Sequence, residues 1–284
     1  RISCSNIFLS FIIFTFLSRY FMFIHFFMSY FFSKKIIFWI FFFSMLTYSE
    51  EKFLKAGIGG LFRKDIYNFE NKTRLYPIPA LSLNYNNFYF IAPFEAGYHF
   101  YQGKDFRLTG YGRYNLFTGY DHNDFIEPLK NMNDRDDDLH LGMRARYSVG
   151  PTRLTFTAYL STDVINKSNG TLASLEITQP VPIGKKTLIF PFIAGQYISQ
   201  NYADYYFGIT DKESKKLDNI NSYNPDSSYK LSTGIKAMSN LTDNIDMIFS
   251  GEYYRYGSEI ADSPLTRGNS NYSFLLGINY KFNF

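Results

Sequence analysis

From Phe53 onward the chain alternates apolar and polar positions, in runs of about ten residues separated by turn-rich stretches. The last run is the cleanest. Tyr272, Phe274, Leu276, Ile278, Tyr280, Phe282 and Phe284 fall on one face of an extended strand. Ser273, Gly277, Asn279, Lys281 and Asn283 fall on the other, and Leu275 is the one exception. A period of two marks a strand with one apolar and one polar face. The same pattern predicts strands over 105–115, 139–149, 152–161 and 245–254, with weaker ones over 53–63, 75–85, 88–93, 94–101, 171–181, 187–197 and 230–238. No stretch after Ser49 carries helical periodicity, so the expectation is an all-β protein.

Length and parity of the connections sharpen this. Counted as twelve strands, every second connection is short: Asn84–Asn87, Gln102–Lys104, Gly150–Pro151, Gly184–Lys186 and Asn240–Asn244. The intervening ones, 63–74, 116–138, 163–170, 198–228 and 256–271, are long, apart from a tight turn near Pro93. Bacterial outer-membrane barrels have short periplasmic turns and longer outer loops, on strands of about ten residues. The prediction is therefore a transmembrane antiparallel up-and-down β-barrel of twelve strands, with ten as the alternative count. A soluble sandwich also alternates, but it has no use for Tyr-rich strand ends suited to a membrane interface. Nor does it need a chain end such as Tyr280, Phe282 and Phe284, the aromatic pattern that barrel-assembly machinery reads.

Composition changes the picture at the front. Residues 1–49 hold 14 of the 32 Phe, the single Cys (Cys4), the single Trp (Trp39) and no acidic residue. Within them, Lys34 and Lys35 precede an 11-residue apolar stretch, Ile36 to Leu46, and the polar exit Thr47-Tyr48-Ser49. That order is the anatomy of a secretory signal peptide, too short to span a bilayer permanently. The expected organisation is an apolar upstream extension over 1–27, a signal peptide over 28–49 cleaved near Ser49, and a barrel over 50–284. A membrane anchor formed by Ile7 to Phe32 is the alternative for the front end. The segment carries four of the 29 Lys and Arg; the 25 that remain match 25 Asp and Glu, so the barrel region is formally neutral. Nothing in that balance points to nucleic acid, and without cysteine the barrel must be held by packing and backbone pairing.

Candidate chemistry is sparse. On the polar strand faces, Arg107, Arg113, Arg144, Arg146, Arg153, Lys230, Lys236 and Lys281 point into the barrel, with Glu95, Glu176, Asp246 and Glu252 as acidic counterparts. Charges in that position are hydrated or paired. Either they form an internal ion-pair network in a narrow barrel, or they line a small pore with anion preference. A lipase needs Ser and His together on the wall. His99, His122 and His140 have no Ser two residues away on their face, and Ser148 lies too far from His140. A barrel protease needs acidic pairs from several converging loops, whereas Asp121, His122, Asp134, Asp136, Asp137 and Asp138 belong to one. Those carboxylates read as a solvated acidic loop, with Ca²⁺ shared with lipopolysaccharide as the sharper alternative. No enzyme, cofactor or resident metal is expected.

Several loop segments are distinctive: Asn201-Tyr202-Ala203-Asp204-Tyr205-Tyr206-Phe207-Gly208-Ile209-Thr210 in the longest outer loop and Ala261-Asp262-Ser263-Pro264-Leu265 in the last. With Leu75-Tyr76-Pro77-Ile78-Pro79 and Gly170-Thr171-Leu172, and followed by a terminal aromatic strand, they resemble the MipA/OmpV family of outer-membrane proteins, from about Gly57 to Phe284. The resemblance implies a non-enzymatic scaffold that links peptidoglycan-remodelling enzymes, a lytic transglycosylase and a peptidoglycan synthase, to the outer membrane. A small porin or a surface adhesin is the alternative. It also implies contact with outer-membrane lipid and lipopolysaccharide. No short motif carries the enzyme contacts, so the resemblance assigns no partner-binding residues.

Overall fold

The computed structural model describes residues 52–282. The expectations for 1–27 and 28–49, and for Asn283 and Phe284, lie outside the described residues. Thirteen strand segments follow one another: β1(Phe53–Lys64), β2(Thr73–Tyr85), β3(Phe88–Ala92), β4(Glu95–Gln102), β5(Phe106–Tyr114), β6(Leu139–Val149), β7(Leu154–Asp163), β8(Thr171–Thr178), β9(Val181–Ile183), β10(Thr187–Ile198), β11(Ser228–Asn240), β12(Ile245–Tyr256) and β13(Ser270–Phe282). Each pairs antiparallel with its neighbours, and β13 returns to β1 in the register Leu54↔Phe282 through Arg63↔Ser273, which closes the barrel. Both β8 and β9 lie along the same edge of β10, through Leu172–Thr178 and Val181–Ile183. They are one wall strand interrupted at Gln179-Pro180, where proline offers no N–H to the ladder. The wall therefore has twelve strands, as the connection lengths predict.

Side-chain alternation gives the wall its two faces. Ile58, Leu75, Leu141, Leu160, Ile193, Leu231, Leu276 and Ile278 stand outward and exposed, the apolar belt a bilayer requires. Inward positions carry the polar set, and Leu275, the exception to the terminal alternation, is inward as well. The turns at one rim are short; Gly184, with φ 63°, takes a left-handed conformation that only glycine adopts without cost.

One part of the wall is low. β3 has 5 residues and β4 has 8, whereas a tilted strand needs about 9–11 to cross the hydrocarbon core. Consequently β2 pairs with β3 only over Leu81–Tyr85. Pro77 and Pro79 fall in the stretch of β2 beyond β3, where a missing N–H costs no ladder bond on that side.

The apolar core lies at the rim with the long connections. It comprises Ile66, Tyr67 and Phe69, then Tyr120, Phe125, Leu129 and Met132, then Ile198, Ala203, Tyr206, Phe207, Ile209 and Leu217, and finally Ile260 and Leu265. All but Ile198, the last residue of β10, come from four different connections, which fold together as a cap. Short helical turns shape it at Gln200–Phe207, Asp211–Ser214 and Ser258–Ala261, with 3₁₀ turns at His122–Asp124 and Leu129–Asn131. These turns are confined to the long connections of an otherwise all-β fold. The longest has 8 residues, about two turns, too short to leave a periodic signature.

Candidate functional site

The site has two storeys, a charged lumen and the cap above it. In the lumen, Glu95 on β4 collects three donors. Arg113 Nη2 lies 2.5 Å from Oε2, Arg144 Nη2 lies 3.1 Å from Oε1, and the Tyr89 hydroxyl donates to Oε1 at 2.5 Å. The Arg144 guanidinium also sits 5.5 Å from the Tyr89 and Tyr111 ring centroids and 5.7 Å from that of Tyr159, within cation–π range. Further round the wall Lys236 meets Glu176 at 2.7 Å, Lys230 meets Glu252 at 3.6 Å, and Lys55 meets Asp246 at 2.5 Å with Asn279 donating to the same carboxylate. Lys55 escapes sequence reasoning because β1 alternates weakly, with Gly57, Gly59 and Gly60 among its positions.

Arg107 and Arg146 are direct cross-strand partners on β5 and β6, and Lys281 lies opposite Lys55. Arg153 departs from the expectation. It sits in the β6–β7 turn with φ 59°, and its guanidinium pairs outside the lumen with Asp105 at 2.7 Å and the Lys104 carbonyl at 2.9 Å. Strand β7 begins one residue later, at Leu154. Between the walls remains a cavity of about 520 Å³.

In the acidic connection 115–138, Asp137 and Asp138 act as clasps, whereas Asp121, Asp134 and Asp136 are exposed to solvent. Asp137 accepts the backbone N–H groups of Phe117, Thr118 and Gly119 at 3.2, 2.9 and 2.8 Å. Asp138 is fully buried and accepts from Asn115 Nδ2, Ser168 Oγ and His140 Nε2 at 2.7, 2.7 and 2.9 Å. Burial pushes its carboxyl up, but the donors from His140 and Ser168 outweigh that and hold it below the usual carboxylate range. Asp136 pairs with Lys167 at 2.5 Å, in the exposed part of the cap. Asp121, His122 and Asp134 place ligand atoms within 4.8 Å of one another, a spacing a metal ion could bridge among the described residues. They are partly or fully exposed, and the carboxylates already hold turn N–H groups: Asp134 takes the N–H of His122 at 2.8 Å, Asp121 that of Asn123 at 2.8 Å.

His140 also reaches Ser161 on β7, its Nδ1 3.2 Å from the hydroxyl oxygen. Asp138, His140 and Ser161 thus have the composition and contacts of a nucleophilic triad, and sequence reasoning missed Ser161. The two residues stand 21 apart and meet only through strand register. The 520 Å³ lumen cavity is not lined by His140 or Ser161, and Tyr202 packs edge-on to His140 at 6.0 Å between centroids. The group ties the 163–170 connection to the rim.

The distinctive loop segments meet in the cap. Tyr206 and Leu265 are 0% exposed and Ile209 1%. Phe207 stacks on Tyr67 at 5.4 Å, and its carbonyl accepts Ser263 Oγ at 2.6 Å. Asn68 Nδ2 donates to the Pro264 carbonyl at 3.0 Å. A Cβ on Gly208 would lie 2.4 Å from the Asp204 carbonyl oxygen, so only glycine fits there. Thr210 starts the next helical turn in a capping box with Glu213. Ala261 and Asp262 close the turn Ser258–Ala261, the Asp262 N–H donating to the Ser258 carbonyl at 2.8 Å.

Residues 56–282 match the family described as MltA-interacting protein MipA. The chain belongs to this family. It is an outer-membrane β-barrel of the MipA/OmpV type, and its relatives are outer-membrane proteins. It is 26% identical to the MltA-interacting protein of Escherichia coli K12, over 84% of this chain and 93% of that protein. It is 29% identical to outer membrane protein OmpV of Vibrio cholerae serotype O1, over 62% of this chain and 64% of OmpV. Among solved structures it is similar to the COG4313 outer membrane channel from Pseudomonas putida F1, at 8% identity and a TM-score of 0.43, over 83% of this chain and 97% of that one.

Proposed function

We propose that this MipA-family barrel is a closed, non-enzymatic scaffold that holds peptidoglycan-remodelling enzymes at the outer membrane. The observation that carries the reading is the cap. Tyr206, Phe125, Ile209, Ile260 and Leu265, all 0–1% exposed, pack over the mouth that an open pore would leave clear. Below it, Glu95, Glu176 and Asp246 pair with basic groups on adjacent or next-but-one strands of the lumen wall, an arrangement that ties neighbouring strands together and leaves few charges free to attract a passing solute. The name of the MltA-interacting protein, 26% identical, supports a partner of the lytic transglycosylase class. Cross-linking in intact cells followed by mass spectrometry tests this. Recovery of cell-wall enzymes on the rim of short turns is expected, and recovery of none would overturn the scaffold reading.

The lumen cavity beside Arg107 and Arg146 favours a second reading, a small anion-preferring pore. Planar-bilayer recordings separate the two. Discrete steps with anion preference in a KCl gradient support the pore, and a silent bilayer supports the scaffold.

A further inference from the structure

We propose that the lumen binds a small amphiphilic anion, a carboxylate or phosphate carried on an apolar body. The strand registers set polar groups in two rows. Gln102, Arg107, Arg146, Thr157 and Glu176 are successive cross-strand neighbours on β4 to β8, and His99, Thr109, Arg144 and Tyr159 form the adjacent row. In the adjacent row Arg144 is committed to Glu95, and in the first Glu176 is committed to Lys236. Arg146 forms no ion pair among the described residues, although it faces Arg107 directly. Arg146 thus has a like charge, and not a counter-charge, as its cross-strand neighbour, which favours an anion beside it. Thr155, Thr157 and Thr178 add hydroxyls to the same wall.

The facing wall is largely apolar, apart from Lys236 and Ser250. Phe190, Met238, Ile248 and Leu275 line the cavity from β10, β11, β12 and β13. Met238 lies opposite Leu188 and Ile248 in the ladder yet remains 37% exposed, so the space beside it is open. A pocket of about 520 Å³ with an apolar wall and a few convergent polar groups is the form of a small-molecule site. A bare inorganic anion would leave the apolar wall wet, and a neutral hydrocarbon would leave Arg146 unmet. An amphiphilic anion satisfies both.

Calorimetry on the full chain in nanodiscs, with sodium octanoate as probe, tests this against 1-octanol and inorganic phosphate. Octanoate is expected to bind saturably, at least tenfold more tightly than either control. Arg146→Gln and Met238→Glu should each weaken it about tenfold or more, while Lys212→Gln in the cap leaves it unchanged. Should a variant fail to fold, the wild-type chain still reports: octanoate should slow phenylglyoxal modification of Arg146, read by mass spectrometry. Equal binding of phosphate, unchanged octanoate binding in both variants, or unprotected Arg146 would overturn the proposal.

Discussion

Glu213 is fully buried in the cap, and Arg135 from a different connection lies 2.9 Å away, Nη2 to Oε1. The carboxylate also accepts the Thr210 hydroxyl at 2.8 Å and the backbone N–H groups of Thr210 and Asn133 at 3.0 and 3.2 Å. Arg135 in turn donates through Nε to the Tyr205 carbonyl at 2.6 Å. One buried pair therefore fastens the 199–227 connection to the 115–138 connection. Removing one partner strands the other's charge away from water, at a cost of about 3–5 kcal/mol. Arg135→Ala should make 199–227 sensitive to protease in intact cells while the barrel keeps its heat-modifiable migration on gels. Unchanged protease resistance would show that apolar packing alone holds the cap.

Acid should loosen the same fastening. Burial pushes the Glu213 carboxyl up, but the Thr210 N–H and Arg135 prevail and hold it below its ordinary 4.5; Asp138 is likewise held below 3.8. A carboxyl whose pKa is lower in the folded state contributes stability above its unfolded value, and that contribution is lost as pH falls through the folded value. Cap stability, read by hydrogen exchange over 199–227, should be flat near neutrality and fall below about pH 4. Glu213→Gln should flatten part of that fall.

Tyr206 carries the cap's interior. Its ring packs against Tyr202 at 4.7 Å and Tyr205 at 4.8 Å, its hydroxyl donates to the Asp136 carbonyl at 3.1 Å, and its own carbonyl lies 3.4 Å from the Tyr67 hydroxyl. Truncating a buried aromatic costs about 3–5 kcal/mol. Tyr206→Ala combined with Leu265→Ala should turn a silent barrel into one with measurable steps in planar bilayers. If the double variant stays silent, the lumen's own ion pairs close the barrel.

The wall was legible because alternation is a local property, clear in strands such as β6, β7 and β13 and weak only where glycines interrupt it, as in β1. Even there, Arg153 shows the limit. Extending the alternation past Leu154 assigns it a face, whereas the turn that ends the strand turns it out to Asp105. The cap was not legible. Phe125, Tyr206, Ile260 and Leu265 come from three connections, and no short stretch of any one contains a core. The loop segments of the family resemblance marked the right residues without revealing that Ser263 and Phe207 touch. His140 and Ser161 likewise meet through a register that only pairing fixes: His140 lies opposite Asp163, and Gly142 opposite Ser161.

That pairing yields the last test. If Asp138, His140 and Ser161 act as a clasp, Ser161 needs no reactivity, and its burial at 8% exposure denies a substrate access. A fluorophosphonate probe should leave Ser161 unlabelled in the native protein, whereas an activated nucleophile would be modified. Ser161→Ala should be mild, since His140 keeps its bond to Asp138. His140→Ala should be severe, because Asp138 loses one of its three side-chain donors and remains buried with the charge. Protease nicking within 163–170 is the readout, and it should rise in His140→Ala and stay near wild type in Ser161→Ala. Labelling of Ser161, abolished by His140→Ala, would instead make the group a catalytic triad and this barrel an enzyme.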